Sequence, residues 1–377
     1  MSIGIRYGLK KQLAARLMEI IFFVLAKPFN LFRKKGEIRK ILLIEPFQMG
    51  DIAALSALFA PLKSRFPEAE IYIAGKKGPL MLATCMEDVE AVYPIEFPWS
   101  RKNKEKGSWM SWLKQSLSLR KHHFDLGIDV RGDVRSQATL VLAGCASVLS
   151  FRRYIYSDIR VSGLLCDYTL GESPYSHVFE RNRYLLSAIG IPENALFPIE
   201  FPLFRVAGEI PHHPIVLHAG AGWEYRNWPA ASWAALIRSL RKDPGIEPLI
   251  VAAPGDEEIL AKIAASMGED AMPEVLFTSL PELCRILAGA GIFIGSDSGP
   301  MAISNCLQSM QVAIFGPGLP DVWRPYSKKS VYLHEVKGYD CYPCTQLICS
   351  RAADPCVGKV STKLVLEATK RVLSEHA

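Results

Sequence analysis

A chain of 377 residues with 49% hydrophobic composition can bury two cores, and its net charge of +6 describes a mildly basic protein. The charge is uneven: residues 1–40 hold ten Lys/Arg against Glu19 and Glu37, which leaves the remainder at −2. A near-neutral body argues against a nucleic-acid partner, which asks for a basic face on the folded domain.

The basic arm, residues 1–37, contains the apolar run Leu17 to Ala26, closed by Lys27-Pro28. The run falls short of the roughly 20 residues a membrane span needs and includes Glu19. No small-x-small cleavage site follows it, so a signal peptide is disfavoured. Two readings stay open: an amphipathic anchor lying in the plane of the inner-membrane surface, with Lys/Arg against anionic head groups, or a terminal helix packed on its own protein.

Ile38 to Pro46 is a continuous apolar run bounded by charge and proline, the pattern of a buried parallel strand. Phe47 to Asp51 forms the turn, and Ile52, Leu55, Leu58, Phe59, Leu62 and Phe66 recur at helical spacing, with Pro61 expected to bend the helix. Gly50 and Asp51 therefore stand where strand gives way to helix, the sheet edge at which open α/β folds bind ligands. Asp51 is either a helix N-cap or a catalytic carboxylate.

Strand and helix signals alternate onward: strand Glu70–Ala74, helix Gly78–Met86, strand Val92–Phe97, a charged loop over Ser100–Lys106, helix Trp109–Lys121 and strand Phe124–Val130. Arg131 and Arg135 follow that last strand and lead into an apolar helix over Ala138–Leu149. Two guanidiniums there suit a phosphorylated or carboxylated ligand, or else form ion pairs. A polar-faced helix over Glu172–Leu186 and the segment Ile199–Arg205 close a first domain, residues 38–205. The Pro- and Gly-rich stretch 206–213 reads as a linker.

A second domain, residues 214–360, starts again with strand Pro214–His218, the turn Ala219-Gly220-Ala221-Gly222 and helix Ala230–Arg241. Strand Pro248–Pro254 runs into the turn Gly255-Asp256-Glu257-Glu258. Leu276-Phe277-Thr278 precedes helix Leu280–Ala290, strand Ile292–Gly295 runs into Ser296-Asp297-Ser298-Gly299-Pro300, and Gln311–Pro317 is a further strand. Asp297 and Ser298 can cap the helix that Pro300 opens, and its N-terminus can receive a phosphate; an ordinary strand-to-helix turn is the alternative. Cys341, Cys344, Cys349 and Cys356 form a Cys-x2-Cys-x4-Cys-x6-Cys run that could hold structural Zn or an Fe–S cluster, pair as disulfides, or remain thiols. Ser361–Glu375, within the terminal segment 361–377, is a final helix placed to return to the first domain. Two βα repeats with polar loops at the strand carboxyl ends predict an α/β protein of two Rossmann-like domains facing a central cleft.

The ordered set Lys40-Ile-Leu-Leu-Ile with Gly50-Asp51 and Phe66-Pro67, Phe124-Asp-Leu-Gly-Ile-Asp129, His177 with Glu180-Arg181, Leu217-His-Ala-Gly-Ala221 with Trp228-Pro229, and Gly295-Ser-Asp-Ser-Gly-Pro-Met301 with Phe315-Gly-Pro317 resembles glycosyltransferase family 9, the heptosyltransferases. The resemblance implies a GT-B fold and inverting, metal-independent transfer of heptose from ADP-heptose to a lipid-linked glycan of lipopolysaccharide. Five cysteines scattered singly in apolar surroundings suit a cytoplasmic protein, and the basic arm suits a peripheral place on the inner face of the membrane. By position, Asp51 resembles the general base. Gly50, His218, Gly220, Ala221, Arg226, Asp297, Ser298, Gly299 and Pro300 resemble the donor site, together with Asp256 or Glu257 at the donor ribose. Arg131 and Arg135 fall where the acceptor docks. The chain departs from the family pattern at Ala219 for proline, Ala302 for histidine and Arg226 for lysine. A binding member with weakened catalysis and a nucleotide-sugar epimerase are the alternative functions.

Overall fold

The structure is a computed structural model that describes residues 9–28, 36–100, 108–154, 159–197, 199, 201, 204–205, 209–344 and 349–376. Parts of the basic arm (1–8, 29–35), of the charged loop (101–106) and of the expected linker (206–208) lie outside the described residues. The chain forms two compact units, Met1–Leu203 and Phe204–Ala377.

The first unit is a six-stranded parallel sheet built from β1 (Lys40–Glu45), β2 (Glu70–Gly75), β3 (Val89–Pro94), β4 (Leu126–Asp129), β5 (Ser147–Phe151) and β6 (Tyr168–Leu170), in the order β3-β2-β1-β4-β5-β6. Ile41 to Ile44 are buried because both faces of the sheet are covered. The helices used below are α1 (Leu9–Leu25), α2 (Met49–Leu55), α3 (Trp109–Ser118), α4 (Val134–Leu142) and α5 (Val178–Leu185).

The second unit repeats the plan with β7 (His213–His218), β8 (Leu249–Ala252), β9 (Val275–Phe277), β10 (Ala290–Ser296), β11 (Gln311–Phe315) and β12 (Ser330–His334), in the order β12-β11-β10-β7-β8-β9. Its helices are α6 (Ala230–Leu240), α7 (Glu257–Met267), α8 (Leu280–Ala288), α9 (Gly299–Cys306) and α10 (Thr362–His376). In each sheet the chain lays down three strands to one side, then returns to the first and builds outward on the other. The switch points are therefore β1/β4 and β7/β10. Outgoing loops diverge there and leave a crevice at the strand carboxyl ends.

Several predicted elements are corrected. The apolar stretch 138–149 is not one helix: α4 ends at Leu142, Gly144 takes a left-handed φ of +74°, and the chain re-enters the sheet as β5. The helix expected over Gly78–Met86 is a four-residue helix, Lys77–Leu80, followed by a 3-10 turn, Met81–Cys85. The helix after β1 starts at Met49, so Gly50 and Asp51 belong to its first turn; it breaks into a 3-10 segment at Ser56–Leu58 ahead of Pro61. The final helix, α10, packs on α6 and β11 within the second unit. The indole of the fully buried Trp228 donates to the Val360 carbonyl at 2.8 Å, tying the start of α6 to the segment that leads into α10.

At the N-terminus, α1 docks on the first unit. Buried Glu19 accepts hydrogen bonds from the N–H groups of Ser162, Gly163 and Leu164 and from the Ser162 hydroxyl, at 2.6–2.9 Å. Lys27 Nζ donates to Asp167 at 2.7 Å and to the Leu165 carbonyl at 3.2 Å.

Candidate active site

At the β1/β4 switch point, strand register places Ile44 beside Asp129, so the residues following them share one edge. Glu45 ends β1 inside the protein, and its Oε1 accepts the Phe47 N–H at 3.0 Å. Arg131, two residues past β4, brings Nη1 to 2.9 Å from Asp51 Oδ1 and to 3.4 Å from both Glu45 oxygens. Its guanidinium carbon lies 4.1 Å from the Phe47 ring centroid, a cation–π contact that holds the head flat. The other Asp51 oxygen, Oδ2, accepts the Gln48 N–H at 3.1 Å. Asp51 is thus not the N-cap residue, which is Gln48; it closes the capping box from the first turn of α2 with one oxygen and meets Arg131 with the other.

Asp129 builds the turn that presents Arg131. Its Oδ1 accepts the Arg131 N–H at 3.1 Å, and its Oδ2 accepts the Asp133 N–H at 2.9 Å and the Ser150 hydroxyl at 2.8 Å. Burial, reinforced by Asp133, lifts its carboxyl to about 6. Burial lifts Glu45 further, to about 8, against the pull of Arg131 and with help from Asp51. Burial thus favours the protonated form of Glu45 near neutrality, and the Arg131 charge serves Asp51. Arg135 turns instead to Asp133, with Nε 2.9 Å from Oδ1 and Nη2 2.6 Å from Oδ2. Both arginines are ion-paired, and Arg131 is a neighbour of the carboxylate more than an open anion clamp.

From below, α5 fixes this edge. Its side chains are buried where a polar outer face was expected: Asn182 Nδ2 donates to the Ala54 carbonyl at 3.0 Å and Arg183 Nε to the Ala57 carbonyl at 2.6 Å, holding the turns after Asp51.

At the β7/β10 switch point, register sets His218 beside Gly295. Nε2 of His218 lies 3.4 Å from Asp256 Oδ2, and its Nδ1 lies 3.3 Å from the Ser298 hydroxyl. Burial pushes the Asp256 carboxyl up, but the hydrogen bond and charge of His218 and the Ala253 N–H outweigh it and hold it below its ordinary range. A Cβ on Gly220 would stand 1.9 Å from Asp256 Oδ1, so glycine is what lets that carboxylate lie against the turn. Glu257 points elsewhere, its Oε2 accepting the Gly255 N–H at 2.7 Å in its own turn. Of the two acids weighed, the structure brings Asp256 to His218.

Asp297 is buried, with Arg226 Nη1 3.2 Å from its Oδ2. Gly318, missed in the sequence, allows this approach: a Cβ there would meet Asp297 Oδ2 at 2.2 Å. The caps expected from Asp297 and Ser298 are not made, because Ser298 turns its hydroxyl to His218 while Asp297 meets Arg226. The first-turn N–H groups of α9, opened by Gly299 and Pro300, consequently have no acceptor within the helix and face outward with its positive dipole end. Ala221 sits half-buried in the turn after β7, and Ala302 is buried in α9.

Cys341, Cys344, Cys349 and Cys356 line one small cavity with Tyr339 and Tyr342. Burial and the neighbouring sulfurs push the Cys356 thiol up to about 11. The expected metal set is not formed: among the described residues, no three His, Cys, Asp or Glu stand close enough together to hold an ion. Cys341, Cys349 and Cys356 are not joined in disulfides either.

The model of glycosyltransferase family 9 (heptosyltransferase) matches residues 112–352, more than half of the chain. Lipopolysaccharide heptosyltransferase 2 of Escherichia coli K12 is 24% identical over 318 residues, covering 80% of this chain and 89% of the relative. Lipooligosaccharide heptosyltransferase 2 of Campylobacter jejuni is 24% identical over 364 residues, covering 89% and 98%. Among solved structures, E. coli ADP-heptose lps heptosyltransferase II superposes with a TM-score of 0.71 at 22% identity over 90% of this chain and all of that one. E. coli heptosyltransferase WaaC with ADP gives 0.67 at 18% identity, covering 89% and 98%. The likeness shows the GT-B fold, and the family match, which takes in the later part of the first unit and most of the second, establishes that this chain belongs to glycosyltransferase family 9, the heptosyltransferases.

Proposed function

We propose that the protein transfers a heptose, with inversion, from ADP-heptose to a lipid-linked saccharide of lipopolysaccharide assembly, without a metal in the chemistry. The observation that carries this reading is the carboxylate of Asp51 at the β1/β4 switch point, its Oδ1 held 2.9 Å from Arg131 and its Oδ2 by the Gln48 N–H. In the reaction, Asp51 takes the proton of the acceptor hydroxyl as that oxygen bonds to the anomeric carbon. The bond from that carbon to the diphosphate breaks on the opposite face and its electron pair leaves with ADP. Arg226 and the first-turn N–H groups of α9 offer a cation and donors to the leaving diphosphate, and Asp256 offers an acceptor to the ribose hydroxyls. The relatives' names supply the donor: solved structures of WaaC hold ADP and ADP-2-deoxy-2-fluoro heptose.

Arg131 orients Asp51, and Arg135, paired with Asp133 at the edge of the same turn, offers its partly exposed guanidinium to an anionic acceptor. A lipid-linked acceptor places the reaction at the inner face of the cell membrane, with the enzyme peripheral. Among the described residues no helix is long and apolar enough to cross a membrane.

The test is Asp51→Asn, which keeps the shape and the hydrogen bond from Gln48. Transfer to a lipopolysaccharide precursor is expected to fall at least ~1,000-fold, with ADP-heptose affinity measured by calorimetry unchanged. Retained turnover would remove Asp51 from the role of base, and absence of ADP-heptose binding in the wild type would remove the donor.

A further inference from the structure

The two faces of α1 do different work. One packs Ala15, Met18 and Phe22 on the core of the first unit, sets Phe22 edge-on to Trp112 at 5.8 Å, and buries Glu19 to 1% exposure under four hydrogen bonds. The opposite face carries Leu9, Leu13, Leu17, Ile20, Ile21, Val24 and Leu25 at helical spacing, from 44% exposed at Ile21 to 72% at Leu9. Trp109, Met110 and Leu117 on α3 are exposed as well, Trp109 standing 5.7 Å from the buried Trp112.

Charge identifies the occupant. Lys10 and Arg16 are exposed on α1, and its one acidic residue, Glu19, is buried on the docked side. The outward face is therefore apolar and cationic, with no acid. A second copy seated on it would bring like charges together, whereas an anionic lipid surface complements both features.

We propose that the outward face of α1 seats in the plane of an anionic bilayer, and that Glu19 and Lys27 clamp the helix so that the first unit is held there in a fixed orientation. A helix of 17 residues, about 26 Å long, lies flat with its apolar side at the acyl boundary. Because the clamp is made to backbone N–H groups and to Asp167, α1 acts as a rigid foot and not a tether. The inference rests on the lipid-linked acceptor of the proposed function only for its purpose; binding itself needs no turnover.

The experiment is flotation of the full chain with vesicles of phosphatidylethanolamine and phosphatidylglycerol, against phosphatidylcholine alone. The wild type is expected to float with the anionic vesicles. Leu13→Glu, Leu17→Glu and Val24→Glu together should lower partitioning by at least ~10-fold, with the melting temperature and ADP-heptose binding unchanged because these side chains touch solvent. A wild type that stays at the bottom, or a triple variant that floats equally well, overturns the surface. So does a concentration-dependent dimer, seen by ultracentrifugation, that the triple variant abolishes while neither protein floats. The clamp is tested with Glu19→Gln and, should that variant misfold, with Lys27→Met. Either should still float, yet lose at least ~10-fold in transfer to vesicle-borne acceptor relative to de-acylated acceptor in solution. Equal loss on both acceptors, or none on either, overturns the clamp. Failure of the Asp51 reading would leave flotation untouched, so the two are separable.

Discussion

Replacing Glu45 by glutamine should flatten the pH dependence of stability near neutrality. Glu45 is fully buried at the end of β1, and its carboxyl is lifted from 4.5 to about 8, by burial first and by Asp51, against the pull of Arg131. Its folded pKa lies above its unfolded value, so between those two pH values the folded state holds the extra proton. Stability therefore falls as pH rises through this window, by about 1.4 kcal/mol per unit, and the cost at pH 7 is ~3 kcal/mol. Asp129, lifted to about 6, acts with the same sign, but its contribution is largely complete by that pH and is common to both proteins. Urea unfolding of wild type and Glu45→Gln from about pH 6 to about pH 7.5 should show a wild-type slope steeper by nearly one proton. Glutamine can still accept the Phe47 N–H and face Arg131, so the comparison isolates the charge. Equal slopes in the two proteins would refute a protonated Glu45 and, with it, the argument that Arg131 is free to serve Asp51.

Arg131→Met should lower kcat at least ~10-fold while leaving ADP-heptose affinity intact, because it frees the Asp51 carboxylate and the proposed donor residues belong to the second unit; single-turnover kinetics beside calorimetry would show this split. Gly220→Ala should push the Asp256 side chain off His218 rather than unfold the turn, since the contact at 1.9 Å is to a carboxylate end; nucleotide affinity is expected to drop ~10-fold with an unchanged melting temperature. Trp228→Ala should cost ~3–5 kcal/mol, and Trp228→Phe about 1–2 through the lost bond to Val360, both read by denaturant unfolding.

Much of the fold was legible because strands covered on both faces must be apolar nearly throughout, and Ile41–Ile44, Leu126–Ile128 and Ile292–Ile294 read that way. The same continuity misled over 138–149, where a helix and a strand are both apolar and only Gly144 marks the break. The short β6 and the half-exposed edge strand β12 offer no such run and were missed. Among the candidate residues, Asp51, Arg131 and His218 stood out because each is polar and stands at or just past the end of a strand. Glu45 did not, although it lies 3.4 Å from Arg131: at the end of an apolar run before proline it reads as a boundary charge, and the partner that keeps it inside is 86 residues away. Asp256 and Glu257 illustrate a second limit. Adjacent residues at a helix start point about 100° apart, so which of them meets His218 depends on whether α7 opens one residue earlier or later, finer than the pattern resolves. What did carry through is topology. Asp51 and Arg131 come after the first and fourth strands of one sheet, His218 and Asp297 at the ends of the corresponding strands of the other, with Asp256 added from the turn after β8; the first and fourth strands are neighbours only because the chain reverses its direction of growth between them. A carboxylate in one unit and a helix N-terminus in the other thus arise from the same connection rule, which is why strand order and polar strand ends together mark the candidate residues of each unit.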